Sequence, residues 1–317
     1  MTSVHPGRQP ILLDCDPGHD DAFAILLAAA SPALELLAIT TVAGNQTLAR
    51  TSLNARRICT VAGIRGVPVA AGCDRPLVRG QIISPEIHGE SGLDGPAFSE
   101  PSVPLDPRHA VDLIGELGRA VAGLTVVTTG PLTNLATAMQ RDVTLAGRLR
   151  RVVMMGGAIG LGNTTPAAEF NIEADAEAAR IVFASGVPIT MVPLEATHHA
   201  LATPEVVARI KAIGTPLAML AVELLGFFAT TYREVFGFPS PPVHDPCAVA
   251  WLIDSAVAPT RSMRVDIETR GEFTYGRTVC DWYGNTGRAP NAEVATDLDA
   301  GRFWALMIGA LASYPAG

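Results

Sequence analysis

Lysine is almost absent from this chain of 317 residues: Lys211 is the only one, and arginine supplies the remaining fixed positive charge. Without a lysine in a GxxxxGK[ST] pattern, the sequence cannot form the P-loop that binds nucleotide phosphates. An enzyme that forms a Schiff base needs a lysine in an apolar pocket, whereas Lys211 lies in a predicted solvated helix over residues 204–213. Both classes of protein are therefore excluded.

Paired cysteines, basic runs and aromatic residues are also scarce. The five cysteines, at positions 15, 59, 73, 247 and 280, include no CxxC pair, which argues against a disulfide framework or a structural zinc site. The net charge is −8 and only 5% of residues are aromatic, so we do not expect a nucleic acid polymer as partner. Reduced cysteines favour a cytoplasmic location.

No secretion signal or membrane span is predicted. Residues 1–10 have no apolar signal core. Residues 22–44 are hydrophobic enough to suggest a span, but Ser31, Pro32 and Glu35 interrupt them. A helix followed by a strand fits this stretch better.

Four carboxylates are concentrated in residues 14–21, which read DCDPGHDD. A short apolar run, residues 11–13, predicts a buried strand, and Pro17-Gly18 ends it before a helical run at residues 22–30. Alternation along the strand would place Asp14 and Asp16 on one side, with Asp20 and Asp21 in the first helical turn. Helix capping accounts for two acids, but four converging carboxylates repel unless a cation or a proton intervenes, and oxygen ligands suit Ca²⁺ or Mg²⁺.

Short β-branched runs alternate with helical runs through most of the chain. This pattern predicts successive βαβ units, that is, an α/β fold with an open, mostly parallel, Rossmann-like sheet flanked by helices. Beyond Pro193 the pattern becomes mainly helical, over residues 204–213, 216–236 and 245–254, before late strands at 263–268 and 276–279. We therefore expect one domain, residues 1–317, with a C-terminal helical insertion.

The polar residues that follow the predicted strands form the candidate site. Ligands of open parallel sheets bind beyond the carboxyl ends of the strands. Asp14, Asp16, Asn45, Thr129 and Met155 all lie at such ends. Two long loops, residues 73–107 and the glycine-rich residues 156–163, follow strands at the same edge and are typical of functional loops.

The segment DCDPGHDD resembles the signature of the inosine-uridine-preferring nucleoside hydrolases. Six further segments resemble that family's motifs in the family's order: TTVAGN (40–45), HGESGLDG (88–95), TGPLTN (129–134), MGG (155–157), AEFN (168–171) and HDPCA (244–248). Together they cover nearly the whole chain. The resemblance implies the nucleoside hydrolase fold and hydrolysis of ribonucleosides to ribose and free base, in nucleoside salvage or catabolism.

The resemblance also implies a ligand set for a Ca²⁺ ion. The family's ligands match the carboxylates of Asp16, Asp21 and Asp245 and the backbone carbonyl of Thr129. Asp16 would also be the general base, because a carboxylate beside a metal-bound water can take its proton as the water attacks C1′ of the ribose. Asp20 and Asn45 match residues near the sugar and the water.

Further matches concern the substrate. Asn163, Glu169 and Asn171 match residues that hold the 3′- and 5′-hydroxyls, and Met155 joins this substrate-binding set. His244, next to the ligand Asp245, matches the family's candidate acid for the leaving base.

His88, in the long loop, is expected to close over the base. Phe170 and Tyr232 are candidates for contacts with its ring, as an alternative to places in the core. Family members form homodimers or homotetramers, which we expect here.

The base preference is expected to be broad, including inosine and uridine. Pyrimidine-specific members place polar residues one helical turn before a late tyrosine, and here residues 224–228, before Tyr232, are apolar. A wall without hydrogen bonds discriminates weakly.

Two alternatives stay open at this stage. A metal-dependent phosphohydrolase also begins with DxD, but this chain has Gly18 where that pattern has Thr or Val. A non-catalytic nucleoside or ribose sensor would lack the base or the acid, and both Asp16 and His244 are present.

Overall fold

The computed structural model describes residues 7–315. Within these residues, ten strands form one sheet in the order β4-β3-β2-β1-β5-β6-β7-β10-β8-β9. The strands are β1 (Gln9–Cys15), β2 (Leu34–Thr41), β3 (Val69–Ala71), β4 (Leu105–Asp106), β5 (Thr125–Thr128), β6 (Arg151–Met155), β7 (Ile189–Val192), β8 (Thr260–Ile267), β9 (Thr278–Asp281) and β10 (Ala292–Ala295). Pairing is parallel from β4 through β10 and antiparallel at β10–β8 and β8–β9, which confirms the predicted mostly parallel α/β sheet.

Helices cover both faces of this sheet because its central strands are apolar on both sides. In β1, Ile11 and Leu13 pack into one hydrophobic cluster and Leu12 into the other. Alternation of side chains along the strand accounts for this division. The helices are α1 (His19–Ala30), α2 (Leu48–Val61), α3 (Pro85–His88), α4 (Ala110–Ala120), α5 (Thr133–Arg141), α6 (Leu145–Arg148), α7 (Phe170–Ala174), α8 (Ala176–Ala184), α9 (Leu194–Thr197), α10 (Pro204–Lys211), α11 (Pro216–Phe236), α12 (Pro246–Ile253) and α13 (Ala300–Ser313).

The predicted helical insertion lies between β7 and β8 and contains α9 to α12. The chain then returns to the sheet through β8, β9 and β10, and β10 pairs in parallel with β7. The insertion brings α11 and α12 over the carboxyl edge of the sheet. Within residues 7–315, no helix is long and apolar enough to cross a membrane.

Some elements differ from the sequence expectations. The short strands β4 and β10 and the final helix α13 are not among the predicted elements. Asp175 separates α7 from α8, and its carboxylate accepts a hydrogen bond from the N–H of Ala178 and so caps α8. The first helix begins at His19 rather than at residue 22, and Asp20 and Asp21 lie in its first turn, as the sequence predicts. Residues 1–6, most of the N-terminal segment discussed above, lie outside the described residues.

Candidate active site

A cavity of about 230 Å³ lies beyond the carboxyl ends of β1, β2, β5 and β6. Its wall contains most residues that the sequence predicts for the site: Asp20, Asn45, His88, Thr129, Met155, Asn163, Glu169, Phe170, Asn171, Tyr232, His244 and Asp245. Asp16 and Asp21 are fully buried and do not line this cavity. The predicted residues therefore come together at one place, from segments up to 229 positions apart in the sequence.

Three carboxylates lie together at the cavity, two in its wall and Asp21 buried beside them. Asp20, Asp21 and Asp245 each contribute an oxygen to a group whose members lie within 4.8 Å of one another. Burial and the neighbouring carboxylate Asp21 raise the pKa of Asp20 to about 7, and burial with the charges of Asp20 and Asp21 raises the pKa of Asp245 well above its usual value. Buried like charges at this spacing repel unless a proton or a cation intervenes. All donors in the group are hard oxygens, which suits Ca²⁺ or Mg²⁺.

Asp16 lies beside this group with one carboxylate oxygen free. Its Oδ2 accepts a hydrogen bond from the N–H of Asn45 at 2.7 Å, whereas its buried Oδ1 has no hydrogen-bond partner among the described residues. Burial and the charge of Asp21 raise the pKa of Asp16 well above its usual value. An unpaired buried carboxylate oxygen beside three further carboxylates fits a cation ligand, because such an atom otherwise leaves its desolvation uncompensated.

Two glycines make room for the Asp16 side chain. A Cβ built at Gly44 or at Gly130 would collide with the carboxylate of Asp16. Gly44 belongs to the TTVAGN motif and Gly130 to the TGPLTN motif. The two motifs therefore serve the site through close approach of their backbones to Asp16.

Hydrogen bonds fix Asp21 and Thr129 relative to each other. Asp21 Oδ1 accepts from the hydroxyl of Thr129 at 2.7 Å, and its Oδ2 accepts from the N–H of Gly18 at 3.0 Å. The Thr129 carbonyl accepts from Nδ2 of Asn171 at 2.8 Å. A carbonyl has two lone pairs, so this oxygen keeps one for another partner.

Asp14 does not belong to the carboxylate group, which corrects the expectation that all four acids of DCDPGHDD converge. Its Oδ1 accepts from the hydroxyl of Thr40 at 2.6 Å and from Nδ2 of Asn134 at 2.8 Å. Burial raises the pKa of Asp14 to about 7. The reason is that β1 ends at Cys15, so the alternation that governs Asp14 no longer determines where Asp16 points.

Asn163, Glu169 and Asn171 form a further polar part of the cavity wall. Asn163 Oδ1 accepts from the N–H of Phe170 at 3.0 Å, which leaves its Nδ2 as the donor available to a ligand. The Glu169 carboxylate caps α7 by accepting from the N–H of Asn171 at 2.9 Å, and it also accepts from the N–H of Gly157 at 2.8 Å. Burial raises the pKa of Glu169 to about 7.

His244 is engaged through both ring nitrogens. Nδ1 lies 2.7 Å from the hydroxyl of Thr197, and Nε2 lies 2.8 Å from the hydroxyl of Tyr232. Burial holds the pKa of His244 well below its usual value and raises the pKa of Tyr232 well above its own. Both groups are therefore neutral near pH 7, and together they place a hydroxyl in the cavity wall.

His88 lies near this pair at the end of α3. Its Nδ1 accepts from the backbone N–H of His19 at 3.2 Å, and its ring stacks on those of His19 and Phe228 at 5.5 Å. Nε2 is thus the nitrogen that remains for a ligand. Burial holds the pKa of His88 well below its usual value, so its ring is neutral.

The apolar wall on α11 differs from the one the sequence suggests. Leu224, Leu225 and Phe228, in the turn before Tyr232, are buried in the core and do not line the cavity. Val235 and Phe236, one turn after Tyr232, line it instead. These two residues follow Tyr232 by three and four positions, so they share its face of the helix, and this spacing could have predicted them.

Other lining residues were also missed. Ser84, Glu86 and Ile87 belong to α3 or the residue before it, and Thr164 follows Asn163. Thr197, which supports His244, stands 47 positions before it in the chain, and no sequence pattern connects the two.

The fold and this site define an α/β protein with a buried group of carboxylates at the carboxyl edge of its sheet. Residues 11–305 match the family described as inosine-uridine preferring nucleoside hydrolase. The chain belongs to this family, and it is therefore an enzyme that hydrolyses ribonucleosides to ribose and free base.

Individual relatives agree with this assignment over nearly the full chain. The pyrimidine-specific ribonucleoside hydrolases RihA of Citrobacter koseri and Escherichia coli O9:H4 are each 47% identical to it over 307 residues, covering 96% of this chain and 98% and 99% of theirs. The purine-preferring ribonucleoside hydrolase from Gardnerella vaginalis has a similar structure, with a TM-score of 0.90 and 29% identity over 96% of this chain and 98% of that one. Membership of this family excludes the two alternatives, a metal-dependent phosphohydrolase and a non-catalytic nucleoside or ribose sensor.

Proposed function

We propose that this enzyme is a Ca²⁺-dependent ribonucleoside hydrolase whose ion is held by Asp16, Asp21, Asp245 and the carbonyl of Thr129. One observation carries the proposal: the unpaired, buried Oδ1 of Asp16 lies beside the group Asp20, Asp21 and Asp245. A bound cation there would supply Lewis-acid activation of a water and a contact for the ribose diol. The oxygen-only donor set favours Ca²⁺ or Mg²⁺ over zinc.

Asp16 is the proposed general base. Its Oδ2 is fixed by the N–H of Asn45, so the carboxylate keeps one orientation, and its Oδ1 has no competing hydrogen bond. It takes the proton of the water that attacks C1′ of the ribose. Asn45 also lines the cavity, which supports its proposed contact with the water or the sugar.

The ribose is held by side chains whose orientations the protein already fixes. Asp20 accepts from a sugar hydroxyl, Asn163 donates through Nδ2, and Glu169 and Asn171 complete the polar wall with Met155 behind them. Because these groups are in place before the substrate binds, little reorganisation is needed when positive charge develops on the sugar.

The leaving base receives a proton or hydrogen bond from the Tyr232 hydroxyl, with His244 behind it. If Thr197 donates to Nδ1, then Nε2–H donates to the Tyr232 oxygen, and the phenol proton points to the base. His244 is thus the candidate acid acting through Tyr232, while His88 and Phe170 enclose the base.

Pyrimidine ribonucleosides are proposed as the preferred substrates, since the relatives at 47% identity are named pyrimidine-specific. Val235 and Phe236 offer no hydrogen bond that would exclude a purine, so inosine stays a predicted, weaker substrate. A role in nucleoside salvage or catabolism, a cytoplasmic location, a homodimer or homotetramer, and a single domain over residues 1–317 remain predictions from the sequence.

The test is ribose release from uridine, cytidine, inosine and adenosine by purified enzyme. Activity should disappear after treatment with a chelator and return on addition of Ca²⁺. Full activity in metal-stripped protein would contradict the proposed metal dependence, and release from none of the four would contradict the proposed substrates.

A further inference from the structure

The loop that carries Asn163 is held from outside the cavity. It spans residues 156–162 and contains four glycines, so its backbone would be flexible if it were unsupported. Four consecutive N–H groups each donate to a side chain: Gly157 to Glu169 at 2.8 Å, Ala158 to Thr278 at 2.9 Å, Ile159 to Glu195 at 2.8 Å and Gly160 to Glu195 at 2.7 Å.

Glu195 provides two of these four bonds with a single carboxylate. It lies in the first turn of α9, directly after β7, and is half-buried. Its two oxygens accept from adjacent amides, Oε2 from Ile159 and Oε1 from Gly160. Hydrogen bonds to a charged acceptor are roughly twice as strong as neutral ones. Glu195 does not line the cavity, so it has no direct route to the substrate.

These hydrogen bonds matter for the site because the loop leads to Asn163, which lines the cavity. Asn163 follows Gly162, and its backbone N–H donates to the carbonyl of Ala168 at 3.1 Å. Its side-chain oxygen accepts from the N–H of Phe170, which orients Nδ2 as the free donor. A Cβ at Gly162 would collide with the backbone of Ala168, so the loop has little room to shift at this end. Glu195 restrains the middle of the same short segment, at Ile159 and Gly160.

We propose that Glu195 is a positioning residue that presets Asn163 for the ribose, by fixing the loop at Ile159 and Gly160. The inference rests on the proposed function, in which Asn163 contacts a sugar hydroxyl. The loss of two charge-assisted hydrogen bonds frees the loop, and a misplaced Asn163 then costs the enzyme part of its substrate positioning.

The kinetic test is a double-mutant cycle with Glu195→Ala and Asn163→Ala on uridine. Each single variant should lower kcat/KM by about 10-fold or more, and the double variant should be no worse than Asn163→Ala alone, because Glu195 acts only through Asn163. The loss in Glu195→Ala should be equal on p-nitrophenyl riboside, which carries the same ribose. Glu195→Gln, which keeps one acceptor oxygen, should recover part of the loss.

Glu293→Gln is the matched control. Glu293 is also half-buried, but it lines a separate cavity with Pro188 and Ile189, at the amino ends of the strands. This variant should keep wild-type kinetics. The proposal would be overturned if the losses in kcat/KM of the two single variants multiplied in the double variant. It would also be overturned if Glu195→Ala had the same kinetics as the wild type.

Hydrogen–deuterium exchange provides a measurement that does not depend on activity. In Glu195→Ala the amides of residues 156–163 should exchange faster, while those of β1 and α1 stay protected and the melting temperature changes little. Unchanged exchange in this loop would overturn the proposal. If wild-type enzyme released no ribose, the proposed function would fail, and the exchange result would still decide whether Glu195 holds the loop.

Discussion

The hydroxyl of Tyr232 lies 2.8 Å from Nε2 of His244, and the other nitrogen of that ring lies 2.7 Å from the hydroxyl of Thr197. His244 therefore has no nitrogen left for direct contact with a substrate while these bonds persist. Since burial keeps both His244 and Tyr232 neutral, the pair supplies an oriented O–H rather than an imidazolium. In the proposed mechanism, His244 is therefore the partner of the acid Tyr232 rather than the direct acid.

Removing the phenol should therefore slow only reactions that need help at the leaving group. We expect Tyr232→Phe and His244→Ala each to lower kcat for uridine by about 10²- to 10⁴-fold, the usual contribution of general acid catalysis. Hydrolysis of p-nitrophenyl riboside, whose leaving group needs little protonation, should fall by much less. Equal losses on the two substrates would assign both residues a structural role.

Deoxynucleosides should be poor substrates. A 2′-deoxyriboside removes a hydroxyl that the proposed ion and Asp20 would share, which leaves buried polar groups unpaired. Each such group costs about 1 to 3 kcal/mol, so kcat/KM should fall by about 10- to 100-fold or more. The measurement compares 2′-deoxyuridine with uridine under one set of conditions. Equal values would refute the proposed contacts to the sugar.

The base preference should be graded rather than absolute. We expect kcat/KM to be highest for uridine and cytidine, with measurable hydrolysis of inosine, because an apolar wall such as Val235 and Phe236 discriminates by roughly 10- to 200-fold for small differences. A nucleoside panel assayed with saturating Ca²⁺ checks this order. Undetectable hydrolysis of inosine would show that another contact selects the base.

Much of the fold and of the site could be predicted because local patterns determine them. The acids around the turn Pro17-Gly18 directly follow the apolar run of β1. Because these features lie close together in the sequence, the sequence alone predicts a group of carboxylates there. The neutral state of His244 cannot be predicted from the sequence, because it depends on burial and on Thr197, which belongs to another segment.

The wrong predictions arise because local sequence patterns do not show how distant segments pack together. The sequence shows that residues 224–228 are apolar, but only the packing of α11 shows that Phe228 faces His19 and His88 rather than the cavity. The support of the loop by Glu195 depends on contacts between residues 35 and 36 positions apart, which no motif encodes.

Stabilisation by Ca²⁺ should depend on pH. Burial raises the pKa of Asp20 and of Glu169 to about 7, whereas such groups titrate near 4 in unfolded chains. These two groups therefore bind more protons in the folded protein between about pH 4 and 7, so their contribution to metal-free stability falls as pH rises through that range.

Ca²⁺ competes with the proton of Asp20, which lies in the carboxylate group, so it should raise the melting temperature more at pH 8 than at pH 5. Thermal unfolding with and without Ca²⁺ at both pH values tests this. Asp20→Asn should reduce the difference between the two pH values. An equal increase in melting temperature at pH 5 and pH 8 would contradict the explanation.

The central claim is that the buried carboxylates bind one cation that the reaction needs, and calorimetric titration of metal-stripped enzyme with Ca²⁺ tests it most directly. We predict one Ca²⁺ per chain in the wild type, loss of binding and activity together in Asp21→Ala, and retained binding without activity in Asp16→Asn. Asp14→Asn, altered outside the carboxylate group, is the control for binding. Wild-type affinity for Ca²⁺ in Asp21→Ala, or hydrolysis at the wild-type rate by Asp16→Asn, would contradict the account.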